Sequence, residues 1–484
     1  MIIAPLRSEA VALRLGGVRV VRGGMGARAE RVAADAVVVA GVCGAVDPAL
    51  RPGDVVVATE LRDEHSVRTL TGTATIARAL RDRGLRVVCG PMLTVDHVLG
   101  RAERESLRAD GVIAVDMESS RLAPRDGVPF AVVRTVVDTA DRSLYDLRTL
   151  VAGLRALAAL RRAAPALEAW SASVQPRRVL LASPRSFCAG VDRAIEIVER
   201  AIDQRGAPIY VRKQIVHNSH VVGDLERRGA VFVEELEAVP DGATVVFSAH
   251  GVSPAVKDDA VGRRLDVIDA TCPLVSKVHA EARRFAAEGK TIFLIGHAGH
   301  EEVEGTQGEA PASIRLVEDL ADAAQAEAPD PERVAYLTQT TLAVDETDEI
   351  VDRLRERYPT LRGPGSEDIC YATSNRQNAV RAVARQADVV LVAGSETSSN
   401  SKRLAEVARR EGARAHLVDD ETDVDVAWLA GAATIGITAG ASAPEEIVHR
   451  LVEAIASLGP VDVGERTQTT ESLRFRLPKE LTTP

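Results

Sequence analysis

A short aliphatic run followed by a polar turn and a helix recurs along the C-terminal part of the chain. The runs are RVLLA, TVVFS, LDVID, TIFLIG, ADVVLVAG and TIGITAG. Strands that alternate with helices are typical of α/β folds with parallel sheets. In such sheets, ligands bind beyond the carboxyl ends of the strands, beside the helix N-termini. We therefore predict an α/β fold whose ligand site is formed by these turns.

The turns carry most of the side chains that could bind a ligand. Helix N-termini offer free backbone N–H groups and a positive dipole end, which stabilise thiolates and phosphate groups. A cysteine at a helix start is therefore expected to have a lowered pKa, which helps it to bind a metal. The residues at these turns are Cys188, His250, Cys272, His297, His300, Ser398, Ser399, Asn400 and Ser442.

Five cysteines are an odd and sparse set, which does not form a disulfide framework. Cys43 and Cys89 lie in apolar runs and are expected in the core. Cys188, Cys272 and Cys370 lie instead in the polar turns PRSFCAGVD, DATCPLV and DICYATSN. Three thiolates suit either a [4Fe–4S] cluster with one open iron or a zinc ion with an open fourth position.

Charge and hydropathy exclude several classes of protein. Sixty basic and 70 acidic side chains give a formal net charge of -10, which argues against broad nucleic-acid binding. We find no run of about 18 apolar residues that could span a bilayer. The start MIIAPLRSEA lacks the features of a signal peptide. We therefore expect a cytoplasmic protein without a membrane span.

The composition changes near residue 175 and predicts two domains. Residues 150–170 are rich in Ala, Leu and Arg and predict a helix. The polar stretch 171–178, which contains Pro176, predicts a linker, and a strand at Val179–Ala182 follows it. We expect an N-terminal domain over residues 1–170 and a C-terminal domain over residues 179–484.

Ordered motifs of the C-terminal domain, from about residue 178 to 480, resemble the reductase family known as IspH or LytB. They include FCAGVDRAIEIVERA, IVHNSHVV, FSAHGVSPAV, DATCPLVSKVH, LIGHAGHEEVEGT, TQTTL, DICYATSNRQ, SSNSKRLAE and GITAGASAPEEIV. The resemblance implies reductive removal of the hydroxyl of 4-hydroxy-3-methylbut-2-enyl diphosphate. That reaction yields isopentenyl and dimethylallyl diphosphate and ends the non-mevalonate isoprenoid pathway. The resemblance also implies a ferredoxin or flavodoxin as electron donor.

The same resemblance implies the architecture of the site. Three α/β subdomains would surround a [4Fe–4S] cluster held by Cys188, Cys272 and Cys370. Glu302 matches the family's acid, with Thr340 beside it in a proton relay, and a closed pocket should raise the pKa of that acid. The positions that match the diphosphate-binding residues are His217, His250, His300, Ser398, Asn400 and Ser442, with Ser399 between two of them.

Other polar residues near these motifs are interpreted as structural. Glu301 and Glu304 flank Glu302 and are expected in a solvent-exposed acidic run. His297 is interpreted as a structural residue. A non-catalytic iron–sulfur sensor or scaffold is the alternative to an enzyme, but it would not need the proton relay of Glu302 and Thr340.

The N-terminal motifs resemble purine nucleoside phosphorylases and nucleosidases. These motifs are IIAPLRSEA, GGMG, VVVAGVCGAVDPALRPGDVVVA, GVIAVDMESS and AVVRTVVDTAD. The segment VDMES within the fourth motif is similar to nucleosidases linked to hopanoid synthesis. The resemblance implies that Glu9 activates water, that Met117 and Glu118 hold the ribose, and that Asp138 protonates the purine. Val137 stands where a serine is common, so a non-catalytic domain is the alternative.

Overall fold

The computed structural model describes residues 1–24, 34–70, 72–139 and 148–481. The GGMG motif from Met25 onward and the AVVRTVVDTAD motif from Ala140 onward lie outside the described residues. The chain separates into two compact units. Unit 1 comprises Met1–Val179, Asp420–Ile435 and His449–Val463; unit 2 comprises Leu180–Asp419, Gly436–Val448 and Gly464–Pro484. No helix of the described residues is long and apolar enough to cross a membrane.

The N-terminal part of unit 1 is built on a mixed sheet flanked by helices. Its strands are β1 (Ile2–Ala4), β2 (Val20–Arg22), β3 (Val37–Ala45), β4 (Val55–Arg62), β5 (Val67–Thr69), β6 (Val87–Thr94), β7 (Ala114–Asp116) and β8 (Phe130–Asp138). Its helices are α1 (Arg7–Leu15), α2 (Thr73–Arg81), α3 (Arg101–Ala109), α4 (Ser119–Leu122) and α5 (Arg148–Ser173). The sheet order is β2–β1–β3–β7–β6–β4–β5, with β8 paired to β3 and β4.

Strands β3 and β8 form the centre of that sheet and set the position of its polar residues. Both are near-continuous runs of buried aliphatic residues and pair in parallel, as expected for strands covered on both faces. A β-bulge between Cys43 and Gly44 shifts the register, so that Gly44 pairs with Asp138. Asp138 therefore lies at the carboxyl end of β8, beside the end of β3.

The remaining elements alternate strand and helix, as the sequence predicts. The strands are β9 (Arg177–Ser183), β10 (Ile209–Arg212), β11 (Ala230–Val233), β12 (Thr244–Phe247), β13 (Asp266–Asp269), β14 (Thr291–Ile295), β15 (Ile314–Val317), β16 (Val334–Thr338), β17 (Val389–Ala393), β18 (Arg414–Val418), β19 (Thr434–Ala439) and β20 (Val461–Thr467). The helices are α6 (Ala189–Arg205), α7 (Ser219–Arg228), α8 (Pro254–Gly262), α9 (Pro273–Ala287), α10 (Glu301–Glu309), α11 (Leu320–Gln325), α12 (Val344–Arg357), α13 (Tyr371–Ala384), α14 (Ser399–Arg410) and α15 (Glu445–Ala456).

Within the continuously described residues 148–481, β9–β20 form three sheets. Their orders are β11–β10–β12–β13, β15–β14–β16 and β18–β17–β19–β9–β20. The first two sheets are parallel throughout. The α/β architecture inferred from the alternating pattern is confirmed.

The connection before β9 is shorter than the polar stretch at 171–178. Helix α5 covers the predicted helix and continues to Ser173, and β9 begins at Arg177. The helix extends because Ala172 and Ser173 allow one more helical turn before Pro176, and prolines disfavour helical backbone at the preceding residue. Only residues 174–176 lie between the two elements.

Candidate active site

Three cysteines begin three helices, each of which follows a different sheet of the C-terminal part. Cys188 is the N-cap residue of α6, Cys272 of α9 and Cys370 of α13. The three residues line one pocket, whose volume including its open mouth is about 790 Å³. The structure therefore brings together thiols that are far apart in the sequence.

The geometry around the thiols bears on how a metal centre would fit between them. Among the described residues, the group of three potential ligand atoms that all lie within 4.8 Å of one another consists of His217, His250 and Glu301, and the three thiols are not part of it. A Cβ on Gly190 would lie 2.8 Å from Cys272 Sγ and 3.8 Å from Cys188 Sγ. Glycine at this position therefore keeps the space between two thiols free.

The expectation of lowered thiol pKa values is wrong for two of the three cysteines. Burial raises the pKa of Cys272 to about 12 and that of Cys370 to about 11. Backbone N–H groups at the helix start lower the pKa of Cys272, and Thr373 lowers that of Cys370, but burial is the larger effect in both. A cation bound between the thiols would be needed to hold them as thiolates.

Glu302 and Thr340 form a buried pair at the same pocket. Thr340 donates its backbone N–H to Glu302 Oε1 at 2.6 Å and its hydroxyl to Glu302 Oε2 at 3.0 Å. Burial raises the pKa of Glu302 to about 7, although both hydrogen bonds from Thr340 oppose the shift. The carboxyl group can therefore change its protonation state near neutral pH, as a general acid must.

Three histidines meet on another wall of the pocket. The rings of His217 and His250 stack with centroids 4.3 Å apart, and His300 lies edge-on to both at 5.8 Å. Burial lowers the pKa values of His217 and His300 to about 3, so these two imidazoles are neutral. His300 Nδ1 accepts the backbone N–H of Glu302 at 3.2 Å, which leaves its Nε2–H free to donate.

Serine and asparagine side chains at the start of α14, together with Ser442 between β19 and α15, complete the pocket. Ser398 is the N-cap of α14, and Ser442 Oγ donates to the backbone oxygen of His217 at 3.0 Å. Ser399 also lines the pocket, and its hydroxyl accepts from Gln339 at 3.4 Å. Both side-chain polar atoms of Asn400 are buried with no hydrogen-bond partner among the described residues. Buried amides are rarely left unpaired, so this side chain indicates a polar ligand.

The sequence interpretation missed residues that line the pocket and one that lies behind its histidines. Glu304 is exposed as expected, but Glu301 is not in a solvent-exposed run, because its carboxylate bonds to His250 Nδ1 at 3.0 Å. Phe475 and Tyr371 line the pocket itself. Tyr371 follows a ligand-type cysteine directly, which is a local signal, whereas nothing in the polar C-terminal stretch indicates the position of Phe475. His297 accepts a hydrogen bond from Arg403 at 2.9 Å, in keeping with a structural role.

The four residues singled out in the N-terminal domain line one pocket of unit 1. Glu9 accepts the backbone N–H groups of Leu6 and Val42, each at 2.7 Å, and burial raises its pKa. Asp138 is 5% exposed, and burial raises its pKa although Arg104 opposes the shift. The other two residues of the set are Met117 and Glu118.

The sequence interpretation missed two buried arginines: Arg104, which lines this pocket, and Arg134, which contacts a residue of its wall. Arg104 forms a buried ion pair with Asp138. Arg134 is fully buried, lies 2.5 Å from Asp116 Oδ2 and donates to Ser119 Oγ at 2.8 Å. A charged residue inside the apolar strand FAVVRTVVD is a signal that could have found Arg134, because a buried charge needs a partner.

The described features of unit 2 define an α/β protein with three thiols, a buried acid and a histidine cluster at one ligand pocket. The LytB protein family model matches residues 179–456, and the Phosphorylase superfamily model matches residues 20–165. Because the first match covers more than half of the chain, the chain belongs to the LytB protein family.

Similar proteins from several bacteria are named 4-hydroxy-3-methylbut-2-enyl diphosphate reductases. The chain is 58% identical over 307 residues to 4-hydroxy-3-methylbut-2-enyl diphosphate reductase 2 of Mycobacterium bovis, covering 63% of this chain and 93% of that protein. It is 57% identical over 308 residues to the reductase of Stenotrophomonas maltophilia, covering 63% and 98%. The solved structure of the E-1-hydroxy-2-methyl-but-2-enyl-4-diphosphate reductase from Plasmodium falciparum matches with a TM-score of 0.61 and 37% identity, covering 63% and 97%.

Proposed function

We propose that this chain is a 4-hydroxy-3-methylbut-2-enyl diphosphate reductase. The observation that carries the proposal is the single pocket that combines three thiols with the Glu302–Thr340 pair. Membership of the LytB family and the names of relatives that are almost fully covered by the match support it. The reaction would replace the allylic hydroxyl of the substrate by hydrogen, using two electrons and protons.

Cys188, Cys272 and Cys370 would hold a [4Fe–4S] cluster. Support comes from the space kept free by Gly190 and from the three helix N-termini at which the thiols lie. When bound, such a cluster supplies electrons and one open iron that acts as a Lewis acid on an alcohol oxygen. A ferredoxin or flavodoxin would deliver the electrons.

Glu302 would supply the proton that lets the hydroxyl leave as water. Because burial raises its pKa to about 7, the carboxyl group can both hold and release a proton near neutral pH. Thr340 holds both carboxyl oxygens, so the proton is presented in a fixed direction. Thr340 would also pass a replacement proton to Glu302 through its hydroxyl.

The histidine, serine and asparagine side chains would bind the diphosphate. His300 offers a free Nε2–H, Asn400 offers an unpaired amide, and Ser398 lies at the N-terminus of α14. Helix N-termini and neutral donors of this kind bind phosphate oxygens. With His217, His250, Ser399 and Ser442 they would hold the substrate and exclude water from its reacting end.

The N-terminal domain would act as a purine nucleosidase linked to hopanoid synthesis. The Phosphorylase superfamily match and the common pocket of Glu9, Met117, Glu118 and Asp138 support this part of the proposal. We also propose domain limits of 1–170 and 179–484, and action in the cytoplasm, where the five free cysteines stay reduced.

The test of the reductase site uses the full-length chain, purified without oxygen and reconstituted with iron and sulfide. We expect four irons per chain and stoichiometric binding of the hydroxylated diphosphate by calorimetry. Zinc as the retained metal, or no binding of the diphosphate, would contradict the proposal. Cluster and binding without turnover would favour the non-catalytic sensor instead.

A further inference from the structure

Gln339 is a buried residue that lies behind the pocket, immediately after β16. It is 1% exposed and is not among the residues that line the pocket. Its backbone N–H donates to Ile295 O at 2.8 Å, which ties it to the end of β14. A Cβ on Gly296 would lie 2.7 Å from Val303 Cγ2 and 3.3 Å from Gln339 Oε1, so glycine at this position leaves room for the amide. The fold therefore holds the amide in one place.

The hydrogen bonds of Gln339 fix which end of its amide is the oxygen. Oε1 accepts the backbone N–H of His297 at 3.2 Å, and a backbone N–H can only donate. Nε2 therefore faces the other way and donates to Thr341 Oγ1 at 2.8 Å. A second, longer hydrogen bond from Nε2 reaches Ser399 Oγ at 3.4 Å. Both hydroxyl oxygens thus act as acceptors toward the same amide.

The protons of these two hydroxyls must point away from the amide. A hydroxyl has one proton, which cannot point at an N–H group that donates to the same oxygen. Thr341 and Ser399 both line the pocket, and among the residues that the structure describes none accepts a hydrogen bond from either hydroxyl. The two O–H groups are therefore free to donate to a ligand in the pocket.

We propose that Gln339 is a positioning residue that turns the hydroxyls of Thr341 and Ser399 toward the diphosphate, so that Thr341 also binds this group. The inference rests on the proposed diphosphate site. A hydrogen bond from a hydroxyl to an anionic oxygen is stronger than one between neutral groups. Fixing the direction of the protons before the ligand arrives lowers the cost of ordering them during binding. Because Gln339 does not line the pocket, it acts only through the two hydroxyls.

Gln339→Glu reverses these hydrogen bonds with little change in shape. One carboxylate oxygen can still accept the backbone N–H of His297. The other can only accept, so it would draw the hydroxyl protons of Thr341 and Ser399 away from the pocket. Three hydrogen bonds to the carboxylate favour its ionised form. Gln339→Met has a similar length, but it leaves both hydroxyls free to rotate toward a ligand and gives the His297 N–H no acceptor.

The test measures the affinity for inorganic diphosphate by calorimetry at pH 8. It uses the full-length chain, purified without oxygen and reconstituted with iron and sulfide. Gln339→Glu and Gln339→Met are each made in the wild type and in a Thr341→Val/Ser399→Ala background, which isolates the coupling between Gln339 and the two hydroxyls. Gln307→Glu is the control for an added carboxylate, because Gln307 is a half-buried residue of α10 that does not line the pocket.

We expect Gln339→Glu to weaken diphosphate binding at least about tenfold, and Gln339→Met to weaken it about threefold or less. Gln307→Glu should bind like the wild type. In the Thr341→Val/Ser399→Ala background, Gln339→Glu should weaken binding by less than about twofold.

Three results would overturn the proposal in different ways. An equal loss from Gln339→Glu with and without the hydroxyls, or a similar loss from Gln307→Glu, would show that charge repulsion alone weakens binding. A larger loss from Gln339→Met than from Gln339→Glu would show that Gln339 only supports the backbone at His297. A wild-type chain that binds no diphosphate would refute the proposed diphosphate site, and this inference with it.

Discussion

Replacing Glu302 by glutamine should remove the acid and make the protein more stable above neutral pH. Glutamine has nearly the same shape and can still accept the backbone N–H of Thr340 while its amide donates to the threonine hydroxyl. The glutamine side chain has no acidic proton that it could donate. General acids typically contribute 10²–10⁴-fold to the rate, so we expect turnover to fall by about that factor while cluster and diphosphate binding persist.

The expected gain in stability follows from the pKa of Glu302. Folding raises this pKa from 4.5 to about 7, so the folded state holds the proton more tightly than the unfolded state. The resulting stability is fully present below pH 4.5 and is lost as the pH rises through about 7. Glutamine does not ionise, so the variant does not lose free energy of unfolding in this way as the pH rises. The difference in unfolding free energy between the variant and the wild type should therefore grow by about 2 to 3 kcal/mol between pH 5 and pH 8.

The stability assay must report on unit 2. The two tryptophans, Trp170 and Trp428, both belong to unit 1, so tryptophan fluorescence would follow the wrong part of the chain. Labelling of the buried thiols Cys272 and Cys370 in the metal-free protein reports on unit 2. A stability difference that does not change with pH would refute the assigned pKa. Turnover within about threefold of the wild type would show that another group is the general acid.

Further predictions concern the thiols and the N-terminal pocket. Replacing Cys188, Cys272 or Cys370 by serine should lower the iron content of the chain. Unchanged iron content in all three variants would refute this ligand set. Gly190→Ala places a Cβ 2.8 Å from Cys272 Sγ and should impair cluster loading, measured as iron and sulfide per chain; normal loading would show that the space is not needed. Asp138→Asn should abolish release of free base from purine nucleosides, measured by chromatography, and retained release would place the acid elsewhere.

Much of the reductase site could be predicted because its residues lie at the junctions of strands and helices. The α/β fold gathers such turns at one edge of each sheet, and the motifs around Cys188, Glu302 and Ser398 are long and specific. Which side chains lie there could therefore be inferred from order along the chain. The protonation states of these side chains could not be inferred from the sequence, because burial is a property of the folded protein. The raised thiol pKa values and the neutral His217 and His300 follow mainly from burial, with smaller contributions from neighbouring thiols and histidines.

The sequence interpretation missed residues whose roles depend on a partner that is distant in the sequence. Glu301 resembles a member of an exposed acidic run until the fold brings it to His250, 51 positions earlier in the chain. Arg104 and Asp138 are 34 positions apart and meet only because β8 and α3 converge on one pocket. Phe475 reaches the reductase pocket from a stretch without regular structure, where no periodic pattern predicts its position.

Turnover by the full-length chain, reconstituted without oxygen, is the most direct test of the proposed reductase centre. The hydroxylated diphosphate and an artificial reductant would be supplied, and the products identified by mass spectrometry. We expect consumption of the substrate with formation of isopentenyl and dimethylallyl diphosphate, and nearly complete loss of both products with Glu302→Gln. A four-iron protein that binds the substrate but forms neither product would contradict the proposed reaction.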